Sequence, residues 1–428
     1  MKLFQQMLVA GSALSLIAPI AAQASDTINL EGLNNYGSSK RSVQRFDSKT
    51  FVNEVNEELA TLNGRVDGLE ANLNNIEAGS FSDTTTMDGK AVFDLGAIDY
   101  STDDTSDESV RFAYSYTLNL NSSFTGDDNL YVRIKTGNHD GWMDNKNDGG
   151  YLSSAKGGDD SLKVDKIWYQ FPVGEKHTVW VGPKIENYYM HATAPSLYQP
   201  VTKQFTLGGN GNAYGASTDT GAGWAYTGDN GWAISSNIGT KSHTTNGNTG
   251  LLTNESKTSW ATQVGYTDDQ WSASVIVNQK YNGWADEYYH TDSANDALVT
   301  GGNHTAIGLR GWWSPEDTGT AAPSVSLGYD TTSHDGVSGS AGDNSNSWFV
   351  GLMWEDTASA DDKIGLAFGQ PTTLDNETTD PFAYELYYSY KANDSVTITP
   401  TIFGGTDRDG TSDGEDVFGA LLQTTFKF

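Results

Sequence analysis

The segment from Val417 to Phe428 constrains the fold more than any other stretch of this chain. Phe418, Ala420, Leu422, Thr424, Phe426 and Phe428 take turns with Val417, Gly419, Leu421, Gln423, Thr425 and Lys427. A period of two sends successive side chains to opposite sides of a strand. One side is mostly apolar, with Phe418, Leu422, Phe426 and Phe428 as its large members, and it finishes on an aromatic carboxy-terminus. Such a strand is expected to close a transmembrane antiparallel β-barrel, whose lipid-facing and lumen-facing residues alternate.

The amino-terminus is consistent with that destination. Residues 1–24 carry Lys2, a nearly uncharged apolar run over 7–22, and Ala22-Gln23-Ala24 before Ser25. This is the plan of a secretory signal peptide, and it is set aside from the fold. Beyond it no run of about 18 apolar residues occurs, so helical membrane spans are not expected. A chain that nevertheless crosses a bilayer must do so as a closed barrel, because lipid leaves no other way to satisfy the backbone N–H and C=O groups. A hydrophobic content of 36% and a mean hydropathy of -0.50 suit a wall in which every second side chain faces water.

The sequence has no cysteine, which excludes a disulfide scaffold, thiolate metal sites and cysteine nucleophiles. A formal net charge of -30 argues against nucleic acid as a partner. Paired acids such as Asp103-Asp104, Asp127-Asp128, Asp159-Asp160, Asp268-Asp269 and Asp361-Asp362 stand among Gly, Ser, Thr and Asn, where turns and external loops are expected. They imply at most loose divalent-cation contacts, and no cofactor is expected.

Residues 25–50 read as a polar linker. Over 51–78, Val52, Val55, Leu59, Leu62, Val66, Leu69, Leu73 and Ile76 recur at spacings of 3 and 4. That rhythm predicts a coiled coil of about three and a half heptads, forming a rod about 37 Å long. Gly64 and Gly68 each cost about 1 kcal/mol of helix propensity, so association has to supply the remaining stability and self-association is implied.

From residue 80 to 428 the pattern is β. Val110, Phe112, Tyr114, Tyr116, Leu118 and Leu120 alternate with Arg111, Ala113, Ser115, Thr117 and Asn119; beyond Gly126-Asp127-Asp128, Leu130, Val132 and Ile134 oppose Tyr131, Arg133 and Lys135. The same plan returns around Ile307 to Trp313, between Trp348 and Trp354, and on to the carboxy-terminus. The fold class expected is all-β, a barrel of about 16 strands within a range of 14 to 18, at roughly 10 residues per span. Residues 140–160, 239–256, 286–303 and 333–346 are the expected external loops, one of them able to fold inward.

Several ordered segments carry a family resemblance. Residues 62–71 (LNGRVDGLEA) leading into Phe81-Ser82-Asp83-Thr84-Thr85, residues 179–185 (VWVGPKI), Phe368-Gly369-Gln370-Pro371 and the ending Thr424-Thr425-Phe426-Lys427-Phe428 resemble cyanobacterial outer-membrane porins of the carbohydrate-selective porin family. The resemblance spans about residues 59–428. It implies a trimeric, 16-stranded barrel in the outer membrane that passes small hydrophilic solutes and ions, with its amino-terminal segment in the periplasm. Relatives carry a surface-layer-homology domain before the coiled coil. Here about two dozen residues separate signal and helix, too few for such a core. A weak cell-wall contact through Lys40, Arg41 and Arg45 is what remains of that anchoring.

The alternation turns Arg111, Arg133, Lys135 and Arg310 away from lipid, where a cation at mid-bilayer costs about 2 to 4 kcal/mol. Lys166 and Lys184 are further candidates for the same lumen surface, with Glu385 opposing them. This strip is expected to bias a pore toward anions. Enzymatic patterns are poor. The seven histidines are scattered without metal-ligand spacing, Ser153-Ser154-Ala155-Lys156 sits in a Gly-Asp loop, and residues 407–416 fail the spacing of an EF-hand loop. The function expected is passive diffusion. A structural tether between outer membrane and periplasm is the rival reading.

Overall fold

The computed structural model describes residues 80–82, 84–101, 109–144, 149–209, 212–214, 220–241, 250–251, 253–284, 288–300, 302–335, 343–408 and 415–428. The expected signal peptide over 1–24, linker over 25–50 and coiled coil over 51–78 lie outside the described residues. The chain divides into two units, Met1–Asp83 and Thr84–Phe428. Strand β1 (Ser80–Ser82) belongs to the first.

The second unit holds β2 (Thr85–Tyr100), β3 (Arg111–Ser122), β4 (Asn129–Gly137), β5 (Lys163–Val173), β6 (His177–Lys184), β7 (Thr220–Thr227), β8 (Trp232–Thr240) and β9 (Thr258–Thr267). It continues with β10 (Trp271–Tyr281), helix α1 (Asp292–Thr300), β11 (Asn303–Trp313), β12 (Ser324–Asp335), β13 (Asn344–Glu355), β14 (Lys363–Leu374), β15 (Phe382–Asn393), β16 (Val396–Thr406) and β17 (Val417–Lys427). Strands β2 to β17 form a closed antiparallel barrel of 16 strands, each paired with its successor, with β17 returning to β2. Closure removes the sheet edges that lipid could not satisfy.

The carboxy-terminal strand makes that closure as its alternation predicts. Phe418 lies opposite Asp99 and Phe426 opposite Ala91 in the β17–β2 ladder. Gly89 N donates to the Phe428 main-chain oxygen at 2.9 Å, and Phe428 N to the Gly89 carbonyl at 3.1 Å. A Cβ on Gly89 would lie 2.8 Å from the Phe428 ring and 2.7 Å from the Thr117 carbonyl, so only glycine admits the terminal aromatic here. Outside the wall, Phe426 meets Phe93 at 5.2 Å and Phe428 stacks on Tyr116 at 5.8 Å.

Exposed and half-buried aromatics collect toward both strand ends. Trp232, Tyr266 and Trp271 cluster beside the short turns 228–231 and 268–270, while Trp348, Phe368 and Phe382 cluster toward the opposite rim. These are the two interfacial girdles of a membrane barrel. On the short-turn rim, two of the paired acids close turns. Asp128 Oδ1 accepts from Phe124 N, Thr125 N and Ser123 Oγ, while Oδ2 accepts from Tyr169 on β5 at 2.6 Å. The Tyr169 hydrogen bond, with those of the turn, holds the Asp128 carboxyl well below the usual range. Asp362 repeats the device with Thr357 N, Ala358 N, Ser359 N and Tyr388 Oη.

The packed core lies inside the cylinder. A 16-strand barrel is too wide for its own side chains to fill, and here the long loops supply the filling. Trp142, Met143, Leu152, Tyr198, Val201, Phe205 and Tyr289 from loops 138–162, 185–219 and 282–302 pack on Phe349, Phe403 and Leu421 of the wall. Loop 138–162 is pinned to β2. Asp94, fully buried, accepts from Ser154 Oγ at 2.9 Å and Gln423 Nε2 at 2.9 Å, and lies 2.9 Å from His139 Nε2. Of the four expected external loops, the described parts of 140–160 and 286–303 thus turn inward; the inward loop whose described residues begin at 185 was not among them.

Candidate functional site

The first strands place a ring of polar side chains on the lumen. Tyr131, Arg133 and Lys135 share a face of β4, and direct pairing sets Asn119 of β3 beside Arg133 and Thr117 beside Lys135. Between β4 and β5 the register shifts: Arg133 pairs with Lys166, but Ile134 pairs with Val164. The extra residue is Asp165, and this bulge turns both Asp165 and Lys166 inward. Simple alternation would have sent one of them to lipid.

Arg133 is the hub. Its Nε donates to Asp165 Oδ2 at 2.7 Å and its Nη2 to Glu186 Oε2 at 2.9 Å. Lys166 Nζ donates to the Ile185 carbonyl at 3.3 Å and lies 3.7 Å from Glu186. Lys156, from the inward loop 138–162, reaches Asp165 at 3.3 Å. Glu186 sits where β6 passes into the 3-10 turn Asn187–Met190. Burial alone would push its carboxyl up, but Lys166 and Arg133 bring it below the usual range. Bulky aromatics surround the group: Tyr131 lies 4.3 Å from Trp168, and Trp168 lies 5.1 Å from Tyr189.

The 3-10 turn Lys203–Phe205 carries Lys203 over the chamber, its Nζ 5.3 Å from the Tyr288 ring and 6.0 Å from Tyr188. Burial lowers its ammonium pKa, and Glu186 opposes that shift. Tyr288 in turn lies 5.4 Å from Tyr151. The resulting chamber has a volume of about 630 Å³. Six basic side chains line it (Lys90, Arg133, Lys135, Lys156, Lys166 and Lys203), against the acids Asp165 and Glu186. Tyrosines supply its apolar surface. It can therefore solvate an anion with fixed charges and offer ring faces to a less polar solute. Among the described residues no group of three or more His, Asp or Glu could hold a metal ion.

The residues singled out in the sequence divide accordingly. Arg133, Lys135 and Lys166 come together in the chamber. Arg111 stands at the start of β3, near Ser109 Oγ at 3.5 Å, outside that lining. Lys184 pairs with Ile167 and donates to the Val164 carbonyl at 3.1 Å, which sets it on the side of the lipid-facing row, away from Arg133. A register shift between β5 and β6 causes the change of side.

Arg310 and Glu385 point inward but serve as clasps for loop 185–219. Arg310, 3% exposed, pairs with Asp330 at 2.6 Å, donates to the Leu207 carbonyl at 2.9 Å and lies under the Tyr214 ring at 4.6 Å. Glu385, fully buried, accepts from Tyr198 Oη at 2.8 Å, Val201 N at 3.1 Å and Thr202 N at 2.5 Å. It does not oppose the basic strip. Lys90 was open to detection, since Lys90, Val92 and Asp94 alternate with Ala91, Phe93 and Leu95. Lys156, Glu186, Lys203 and Tyr288 lie in aperiodic loops, which no strand pattern reveals.

Known proteins resemble this chain over most of its length. The profile described as Carbohydrate-selective porin, OprB family, matches residues 47–428. An uncharacterized protein of Nostoc sp. is 26% identical over 422 residues, covering 88% of this chain and 71% of that protein. Among solved structures, Pseudomonas putida OprB at high pH superposes with a TM-score of 0.58 at 13% identity, covering 81% of this chain and 94% of that one. Vibrio cholerae OmpT lacking loop L8 gives 0.51 at 11% identity, covering 81% and 99%.

Proposed function

We infer how this barrel works from one premise: the chain belongs to the carbohydrate-selective porin, OprB family. It is an outer-membrane protein that forms a passive diffusion channel for solutes. No covalent step is involved in such transport. Selectivity arises from lumen width and from the charges along the wall.

In our reading the Arg133 chamber is the constriction, and it favours anions. The observation that carries this is the six-to-two excess of basic over acidic side chains in the chamber, within a chain of net charge -30. Small carbohydrates are a second solute class, supported by the Tyr151–Tyr288 pair with Lys203 beside it. The channel assembles as a homotrimer, and the heptads over 51–78 project into the periplasm. Purified protein in a planar bilayer under a KCl gradient is expected to give discrete conductance steps and a reversal potential favouring chloride. Steps without chloride preference would refute the constriction, and the absence of steps would favour the tether.

A further inference from the structure

Two lysines face one another at a place where sheet chemistry disfavours them. Lys427 of β17 is the direct register partner of Lys90 on β2. Adjacent strands lie about 5 Å apart, and like charges directly opposite one another destabilise a sheet. Both side chains are exposed to the lumen, and neither makes a hydrogen bond or an ion pair among the described residues. The acids on the same strand make their hydrogen bonds to neutral groups elsewhere and pair with neither lysine. Asp88 accepts from Asn119 Nδ2 at 2.7 Å and Asn121 Nδ2 at 3.2 Å, and Asp94 is held by Ser154 and Gln423.

The cavity wall supplies hydroxyl and amide groups and no acidic side chain, with Asp94 attracting Lys90 from outside it. Lys90 and Lys427 line a cavity of about 190 Å³ that has no acid in its lining, toward the short-turn end of the lumen. Thr425, two residues from Lys427 on the same face, pairs with Thr397 of β16, and both residues line this cavity. Lys363 closes the far side, with its charge shared with Glu355 at 2.8 Å. Lys90 also lines the Arg133 chamber, so the two cavities share a wall residue. Thr117 then links Lys90 to Lys135 across two ladder steps, roughly 10 Å in all.

We infer that Lys90 and Lys427, with the hydroxyls of Thr425 and Thr397, form a subsite for a doubly charged tetrahedral oxyanion, such as inorganic phosphate or sulfate. Such an ion neutralises both ammonium groups at once and takes neutral donors on its remaining oxygens, which a single chloride cannot do. The subsite gives the anion path of the pore a second station beyond the Arg133 chamber, and it rests on that reading of the lumen.

The test is chloride current through the full-length protein in planar bilayers, at constant ionic strength, with sulfate or inorganic phosphate added in steps. We expect a saturable reduction of chloride current. Lys90→Gln and Lys427→Gln should each raise the half-blocking concentration about tenfold or more. Neither variant removes a hydrogen bond, so both should fold, as heat-modifiable mobility would verify. Lys176→Gln, on a turn and paired with Asp229, should leave the block unchanged. A pore that prefers chloride over potassium but passes it unhindered by sulfate and phosphate overturns the subsite and leaves the anion preference standing. Block that persists in both lysine variants also overturns it. Loss of chloride preference in the unaltered protein refutes the broader reading as well.

Discussion

Leu118 and Asn119 are neighbours on β3 that face different solvents. Leu118 pairs with Gly89 and Ile134 on the outer row, whereas Asn119 donates to Asp88 and accepts from Tyr131 Oη in the lumen. An arginine at position 118 must place its guanidinium in hydrocarbon; at position 119 it faces lumen water and Asp88, with Arg133 as its ladder partner. Leu118→Arg is therefore expected to destabilise the barrel by about 2 to 4 kcal/mol, and Asn119→Arg by less than about 1 kcal/mol. Urea titration of the refolded protein in lipid vesicles measures both. Equal midpoints for the two variants would contradict the facing of β3.

Loop 185–219 is the element on which pore geometry depends, and its anchors are few and polar. Glu385 receives three hydrogen bonds from it, so Glu385→Ala leaves Tyr198 Oη, Val201 N and Thr202 N buried without that acceptor. Each such loss is worth about 1 to 3 kcal/mol. The loop should loosen, and single-channel recordings should show larger and noisier openings than the unaltered protein. His191 in the same loop supplies a pH dependence. Neither ring nitrogen has a hydrogen-bond partner among the described residues, and burial pulls the imidazole from 6.5 down to about 4. The unfolded chain takes up a proton near pH 6.5 while the folded loop resists until about 4. The stability contributed by the neutral ring is thus complete above pH 6.5 and is lost as the pH falls toward 4. Thermal midpoints recorded from pH 7 to pH 4 should fall along that slope, and His191→Phe should flatten it.

At the scale of the whole molecule, assembly is the quantity to test. On the proposal that residues 51–78 form a trimeric coiled coil, whose two glycines leave its stability to association, deleting them should lower the trimer fraction while leaving barrel conductance per pore unchanged. Sedimentation velocity in detergent would measure the first effect and bilayer recording the second. The barrel itself was legible because period-two alternation is a local property of each strand: Phe418, Leu422 and Phe426 on one side of β17, and Leu421 and Gln423 on the other, needed no knowledge of their neighbours. Arg133, Lys135 and Lys166 could be assigned to the lumen for the same reason. Tertiary structure decided what alternation cannot encode. A register shift put Asp165 beside Arg133, and another moved Lys184 to the outer row. Long-range loop docking turned Arg310 and Glu385 from expected pore charges into buried clasps. Strand pattern determines which side of the wall a residue faces. Which groups satisfy it depends on segments distant in the chain, as with the Leu207 carbonyl that accepts from Arg310, and only the closed cylinder brings those together.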